Sequence, residues 1–79
     1  MAQLRLFAQA RETAGVAQVS CEGSTVSEVI QNAITMFGPA FAEVVKMSKV
    51  WVNGEEVPRE HIVHNNDEVA VLPPVSGGM

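Results

Sequence analysis

Apolar and polar residues alternate over residues 2–8, AQLRLFA, with Leu4, Leu6 and Ala8 on one side and Arg5 and Phe7 on the other. A period of two predicts a strand with one buried face. Ala17, Val19 and Cys21 alternate in the same way with Gln18, Ser20 and Glu22, which predicts a second strand hairpinned onto the first across a polar connection from Gln9 to Gly15. The period changes after Gly23 and Ser24. Thr25, Val26, Ser27 and Glu28 form a capping box, in which the Thr hydroxyl accepts from the amide of the third helical residue and the Glu carboxylate reaches back. Val26, Val29, Ile30, Ala33, Ile34 and Phe37 then recur in steps of three and four, and Gly38-Pro39 ends the run. A helix is expected over 26–37. From Pro39 to Lys46, a proline allowed in a first turn and Phe41, Val44 and Val45 at helical spacing predict a second, short helix.

Period two returns at Val50 and Val52, followed by Asn53-Gly54, the dipeptide best suited to a type I′ hairpin turn. Two short strands follow over 49–57, the second stopped by Pro58. Residues 59–66 read as a loop or a helical turn. Asp67 to Leu72 is a last strand with Val69 and Val71 on one face and Ala70 and Leu72 on the other, terminated by Pro73-Pro74, which cannot donate to a ladder. One helical stripe covering one sheet face is the economical packing. The first and last strands, distant in sequence, can pair in space, so a mixed sheet is expected.

Composition narrows the function. With 79 residues the chain makes one small domain, 47% hydrophobic and 18% charged, with too little body for an enclosed active-site pocket. An independent enzyme is disfavoured. Cys21 is the single cysteine, so no intrachain disulfide is possible; it reads as a small core residue in a reducing compartment. Nine acids against five Lys and Arg give net charge −4, which argues against nucleic acid as a partner. Without an apolar run long enough to span a bilayer or make a signal peptide, no membrane partner is expected and the cytoplasm is the expected location.

The segment before Met79 reads Pro73, Pro74, Val75, Ser76, Gly77, Gly78. The diproline holds the chain extended as it leaves the last strand, and glycines without side chains can enter a channel too narrow for other residues. Residues 1–74 are thus expected to form the domain and 75–79 a flexible tail. Together with the start LRLFAQARETAG, the Asn-Gly hairpin and the strand end NDEVAVLPP, this ending resembles the β-grasp, ubiquitin-like sulfur carriers, most closely the small subunits of molybdopterin synthases (MoaD type). The resemblance covers nearly the whole chain. It implies an α+β fold, a mixed four- to five-stranded sheet packed on one main helix plus a short helix.

The resemblance also implies a chemistry in which the protein is the reagent. An E1-like activating enzyme uses ATP to adenylate the carboxylate of Gly78, and sulfur displaces AMP to leave a thiocarboxylate. Gly77 and Gly78 then enter the large subunit of molybdopterin synthase, in a heterotetramer, and the sulfur passes to a pterin precursor of the molybdenum cofactor. The carrier itself binds no cofactor, and no metal site is expected in it. Met79 departs from the family pattern, since the carboxylate must sit on a glycine: a peptidase removes it, or it is an artefact, or the chain is an inactive paralogue. Thiamine, cysteine or tRNA thiolation and protein conjugation are alternative destinations for the same tail, and a ubiquitin-like binding module with an inert tail is a third reading.

Strand parity turns Phe7, Trp51 and Leu72 away from the core. If the first strand lies beside the last and the last beside the third, as in the family, these three form one exposed apolar patch at the root of the tail, an expected partner-binding surface with Pro73, Pro74 and Val75. Arg11 matches a basic position of the family near this patch. His61 and His64 fall too few and too loosely spaced for zinc and read as solvated. Glu55, Glu56, Glu60, Asp67 and Glu68 read as a soluble rim.

Overall fold

Five strands and three helices form among residues 1–74, the residues described in the computed structural model. They are β1 (Ala2–Leu6), α1 (Ala8–Ala14), β2 (Gln18–Cys21), α2 (Val26–Phe37), α3 (Pro39–Lys46), β3 (Lys49–Val52), β4 (Glu55–Glu56) and β5 (Glu68–Leu72). The strands lie in the order β2-β1-β5-β3-β4. Only the β1–β5 pair is parallel, with Leu4 opposite Val69 and Leu6 opposite Val71. First strand beside last, and last beside third, is the expected mixed β-grasp sheet.

The core lies between one sheet face and the helices. Leu4, Leu6, Val50, Val52, Val69 and Val71 are buried there against Val26, Val29, Ile30 and Ala33 of α2 and Phe41 and Val45 of α3. Each of these side chains other than Ala33 contributes about 1.5–3 kcal/mol relative to exposure. Phe37 and Phe41 meet edge to face at 5.2 Å, bringing α2 and α3 together across the Gly38-Pro39 break. The helix start follows the capping box: the Glu28 N–H donates to Thr25 Oγ1 (3.2 Å), and Glu28 Oε1 accepts from the Ser24 N–H (2.7 Å). Gly23 is required just before it. At φ 151°, a Cβ there would stand 2.6 Å from the Val29 amide nitrogen.

The connection from Gln9 to Gly15 is not the polar loop expected but part of α1, so the fold has two short helices beside the main one. Ala8 and Ala17, placed inward by strand parity, are exposed, because β1 stops at Leu6 and β2 starts at Gln18. Three alanines with Gln, Arg and Glu are good helix formers, and Gly15 takes the left-handed C-terminal position (φ 81°). The apolar stripe that would have announced this helix is missing, since Ala10 is its one buried residue. Residues 59–66 resolve as a loop rather than a helical turn, stitched to the start of α2 by a bridge between Thr25 and Ile62 and by the Val26 N–H donating to the His61 carbonyl (2.9 Å).

Candidate functional site

β5 carries the chain to the root of the tail, and its two ends are built differently. At its start, Asp67 Oδ2 accepts from the His64 N–H (2.9 Å) and Oδ1 from Asn53 Nδ2 (3.1 Å), while Asn53 Oδ1 accepts from the Glu68 N–H (3.0 Å). Asn53, at φ 50° in the β3–β4 turn, therefore clamps β5 with both ends of its amide. The His64 backbone donor first, then the Asn53 amide, hold the Asp67 carboxyl below the usual carboxylate range. Gln3 N–H also donates to the Asp67 carbonyl (2.8 Å), fixing β1 to the same point.

The other end is apolar. Leu72 is 36% exposed, and continuation of the Leu6–Val71 register sets Phe7, 39% exposed, beside it. Phe7 is the residue at which β1 turns into α1; its carbonyl accepts from the Ala10 N–H (3.0 Å), and the turn passes through Ala8 at φ 51°, a left-handed conformation unusual for alanine. The helix that sequence periodicity missed is thus what redirects the chain at Phe7. Trp51 lies one register row further from the tail, opposite Ala70, and is half-buried rather than exposed. Cations flank the strip. Arg5 stands opposite Ala70 and pairs with Glu68 (2.9 Å), and Lys49 stands opposite Leu72 and pairs with Glu56 (3.8 Å). Both pairs are solvent-exposed and therefore weak.

On the helix side of the root, Pro73 and Pro74 form one wall of a groove of about 270 Å³ completed by Gln9 of α1, Val44 of α3 and Met47, which is 66% exposed. Sequence reasoning gave Gln9, Val44 and Met47 no site role: Val44 was counted only in the apolar spacing of the second helix, and the one signal for the helix that carries Gln9 was the composition of residues 8–14. Arg11 lies in α1, exposed, where its carbonyl accepts from the Gly15 N–H (2.8 Å). Val75, Gly77, Gly78 and Met79 lie outside the described residues. Cys21 is buried, and burial pushes its thiol pKa up, in keeping with a core filler. Phe7, Leu72 and the two prolines thus converge on the point where β5 ends, with Arg11 on the adjoining helix, and form a partly exposed apolar surface there.

The ThiS family profile matches residues 4–78, nearly the entire chain and through both glycines of the ending. The chain belongs to the ThiS family. Among its curated relatives, the molybdopterin synthase sulfur carrier subunit of Arabidopsis thaliana is 36% identical over 76 residues, 92% of this chain and 78% of the plant protein. That of Haemophilus influenzae is 33% identical over 81 residues, covering 99% of this chain and 100% of the relative. The solution structure of small archaeal modifier protein 1 from Methanosarcina acetivorans superposes with a TM-score of 0.88 at 26% identity, over 98% of this chain and 95% of that one. This ThiS-family chain therefore shares its β-grasp fold with a protein named as a small archaeal modifier and is similar in sequence to proteins named as sulfur carrier subunits. Among its described residues no helix is long and apolar enough to cross a membrane.

Proposed function

We propose that this chain is the sulfur carrier of a molybdopterin synthase, the non-catalytic small subunit whose Gly78 bears the sulfur. The observation that carries the reading is the family match running through Gly78, attached to a strand end that is apolar, partly exposed and followed by two prolines. The relatives named as sulfur carrier subunits support the choice of acceptor. An E1-like enzyme joins the Gly78 carboxylate to AMP from ATP with release of pyrophosphate. A sulfur nucleophile then attacks the acyl carbon, AMP leaves, and a thiocarboxylate remains. In the large subunit the sulfur passes to the pterin precursor and the glycine returns to a carboxylate. The acid–base groups for that transfer belong to the partner; this chain supplies position.

Because Met79 follows Gly78, a free Gly78 carboxylate requires hydrolysis of the bond between them, which assigns a role to a peptidase. Phe7 and Leu72, with Trp51 behind them and Arg11 beside them, are the docking residues for both the activating enzyme and the large subunit, in the cytoplasm. The likeness to a small archaeal modifier favours one second reading, in which the same acyl-adenylate is attacked by a lysine amine and ends as an amide.

The test is reconstitution with the activating enzyme, ATP, a sulfur source and the large subunit, followed by intact mass measurement. The expected product is a chain ending at Gly78 with one oxygen replaced by sulfur, two equivalents of which supply the two sulfurs that convert the pterin precursor to its dithiolene. Conversion by a chain that still carries Met79 would overturn the processing step, and formation of lysine amides without dithiolene would favour the second reading.

A further inference from the structure

The two edges of the sheet are unequally protected. β4 is two residues long, and both, Glu55 and Glu56, are exposed carboxylates, a common guard against edge-to-edge pairing. β2, at the opposite edge, reads Gln-Val-Ser-Cys, with neither charge nor proline. The Leu6 N–H donates to the Ala17 carbonyl (2.9 Å), which sets the phase of the β1–β2 ladder. Ala17, Val19 and Cys21 exchange hydrogen bonds with β1, so the N–H and C=O of Gln18 and Ser20 point outward. Their side chains are held on the open sheet face, where Gln3 Nε2 donates to Ser20 Oγ (3.0 Å) and Gln18 Nε2 donates to Gln3 Oε1 (3.3 Å). The edge backbone is left clear.

Beside this edge runs a groove of about 250 Å³ lined by Met1, Ser20, Cys21, Glu22, Asn32 and Met36. Met36, 53% exposed on α2, supplies apolar surface on the helix side. Asn32 Nδ2 donates to the Glu22 carbonyl (2.7 Å), so the edge is closed at that end and an added strand can pair only along Gln18 to Ser20. The Glu22 carboxylate has no cationic partner among the described residues.

We propose that the β2 edge and the α2 flank form a second docking site, which takes an extended peptide from another protein with aliphatic side chains at alternate positions and a Lys or Arg beside Glu22. Backbone pairing gives affinity, Met36 takes the helix-facing side chains, and Glu22 selects the cation. A second copy of this chain is a poorer occupant. Its β2, Gln-Val-Ser-Cys, has no cation to offer Glu22. β2 runs antiparallel to β1, which places Glu22 at the pole away from Leu72. A peptide held here leaves the tail free to act.

The test pans the full chain against phage-displayed random short peptides and maps enriched peptides by amide NMR. Expected are peptides with alternating aliphatic residues and a Lys or Arg, slowed exchange of the Gln18 and Ser20 amides, and binding weakened at least about tenfold by Ser20→Pro, which removes the outward donor together with the Ser20 hydroxyl that accepts from Gln3 on the open face. Met36→Lys, at a half-exposed position outside the core, should do the same, and Glu22→Lys should abolish the preference for a cation. Failure to enrich any peptide, binding that perturbs Phe7 and Leu72 instead, binding that survives both Ser20→Pro and Met36→Lys, or self-association through β2 would each overturn the proposal.

Discussion

The start of β5 is tied by polar contacts on every side, whereas its end at Leu72 leads into two residues with no N–H to give. Asn53, Asp67, His64 and Gln3 converge on the first end; Phe7 and a half-exposed leucine border the second. The difference separates holding from presenting. A strand that must deliver its own continuation to a partner can be fixed firmly only at the end the partner does not use. The apolar end would be a defect in an isolated module, since contiguous exposed apolar surface invites association.

Leu6→Ala, removing a fully buried side chain opposite Val71, is expected to cost about 2–5 kcal/mol in denaturant unfolding and to loosen both ends of β5 together. Phe7→Asp should separate them. Binding to the large subunit is expected to fall by about 2 kcal/mol or more, a hot-spot loss, while unfolding free energy moves by less than about 0.5 kcal/mol; calorimetry and urea titration on one sample decide it. Equal binding would remove Phe7 from the interface. At the pinned end, Asn53→Gly keeps the positive-φ turn but deletes both amide contacts, so stability should drop by about 1–2 kcal/mol with partner affinity unchanged.

The same end should respond to acid. Asp67 has a folded pKa below its unfolded one, so its contribution is present above the ordinary Asp value of about 3.9 and fades as pH falls through the lower folded value. Urea midpoints measured from neutral pH downward should fall less steeply for Asp67→Asn than for the parent chain. The smallest effect belongs to the presenting end: Ala8→Gly relieves the left-handed alanine and is expected to raise stability by up to about 1 kcal/mol. A loss on thermal melting would mean that Ala8 is held by packing instead.

Legibility in the sequence followed the same division. α2 and α3 appear over the expected residues because a capping box, a stripe and Gly38-Pro39 mark their limits with local chemistry. The sheet order was readable through the family resemblance, and strand parity placed the core faces of β3 and β5 correctly. α1 was not readable, since a two-turn helix with only Ala10 buried has no period to detect, and its N-terminal residue Phe7 offers no capping oxygen. Nor did the pattern disclose the Asn53 clamp or the Thr25–Ile62 bridge, which join residues far apart in the chain. At the candidate site, Phe7, Leu72 and the diproline were legible from parity and composition. Met47 and Gln9 were not, because their groove exists only once α1 and α3 are side by side.

The parallel pairing of β1 with β5 also has a bearing on synthesis. A ribosome releases β1 early, yet its central partner is the last strand of the domain to emerge, so the sheet cannot close on itself while translation of residues 68–72 is pending. The apolar face at Phe7 and Leu72 and the lead of the tail come into being in the same event that completes the core. Under the proposed function, a truncated or stalled product would therefore offer an activating enzyme neither this face nor a terminus to modify, and only finished carriers would be charged.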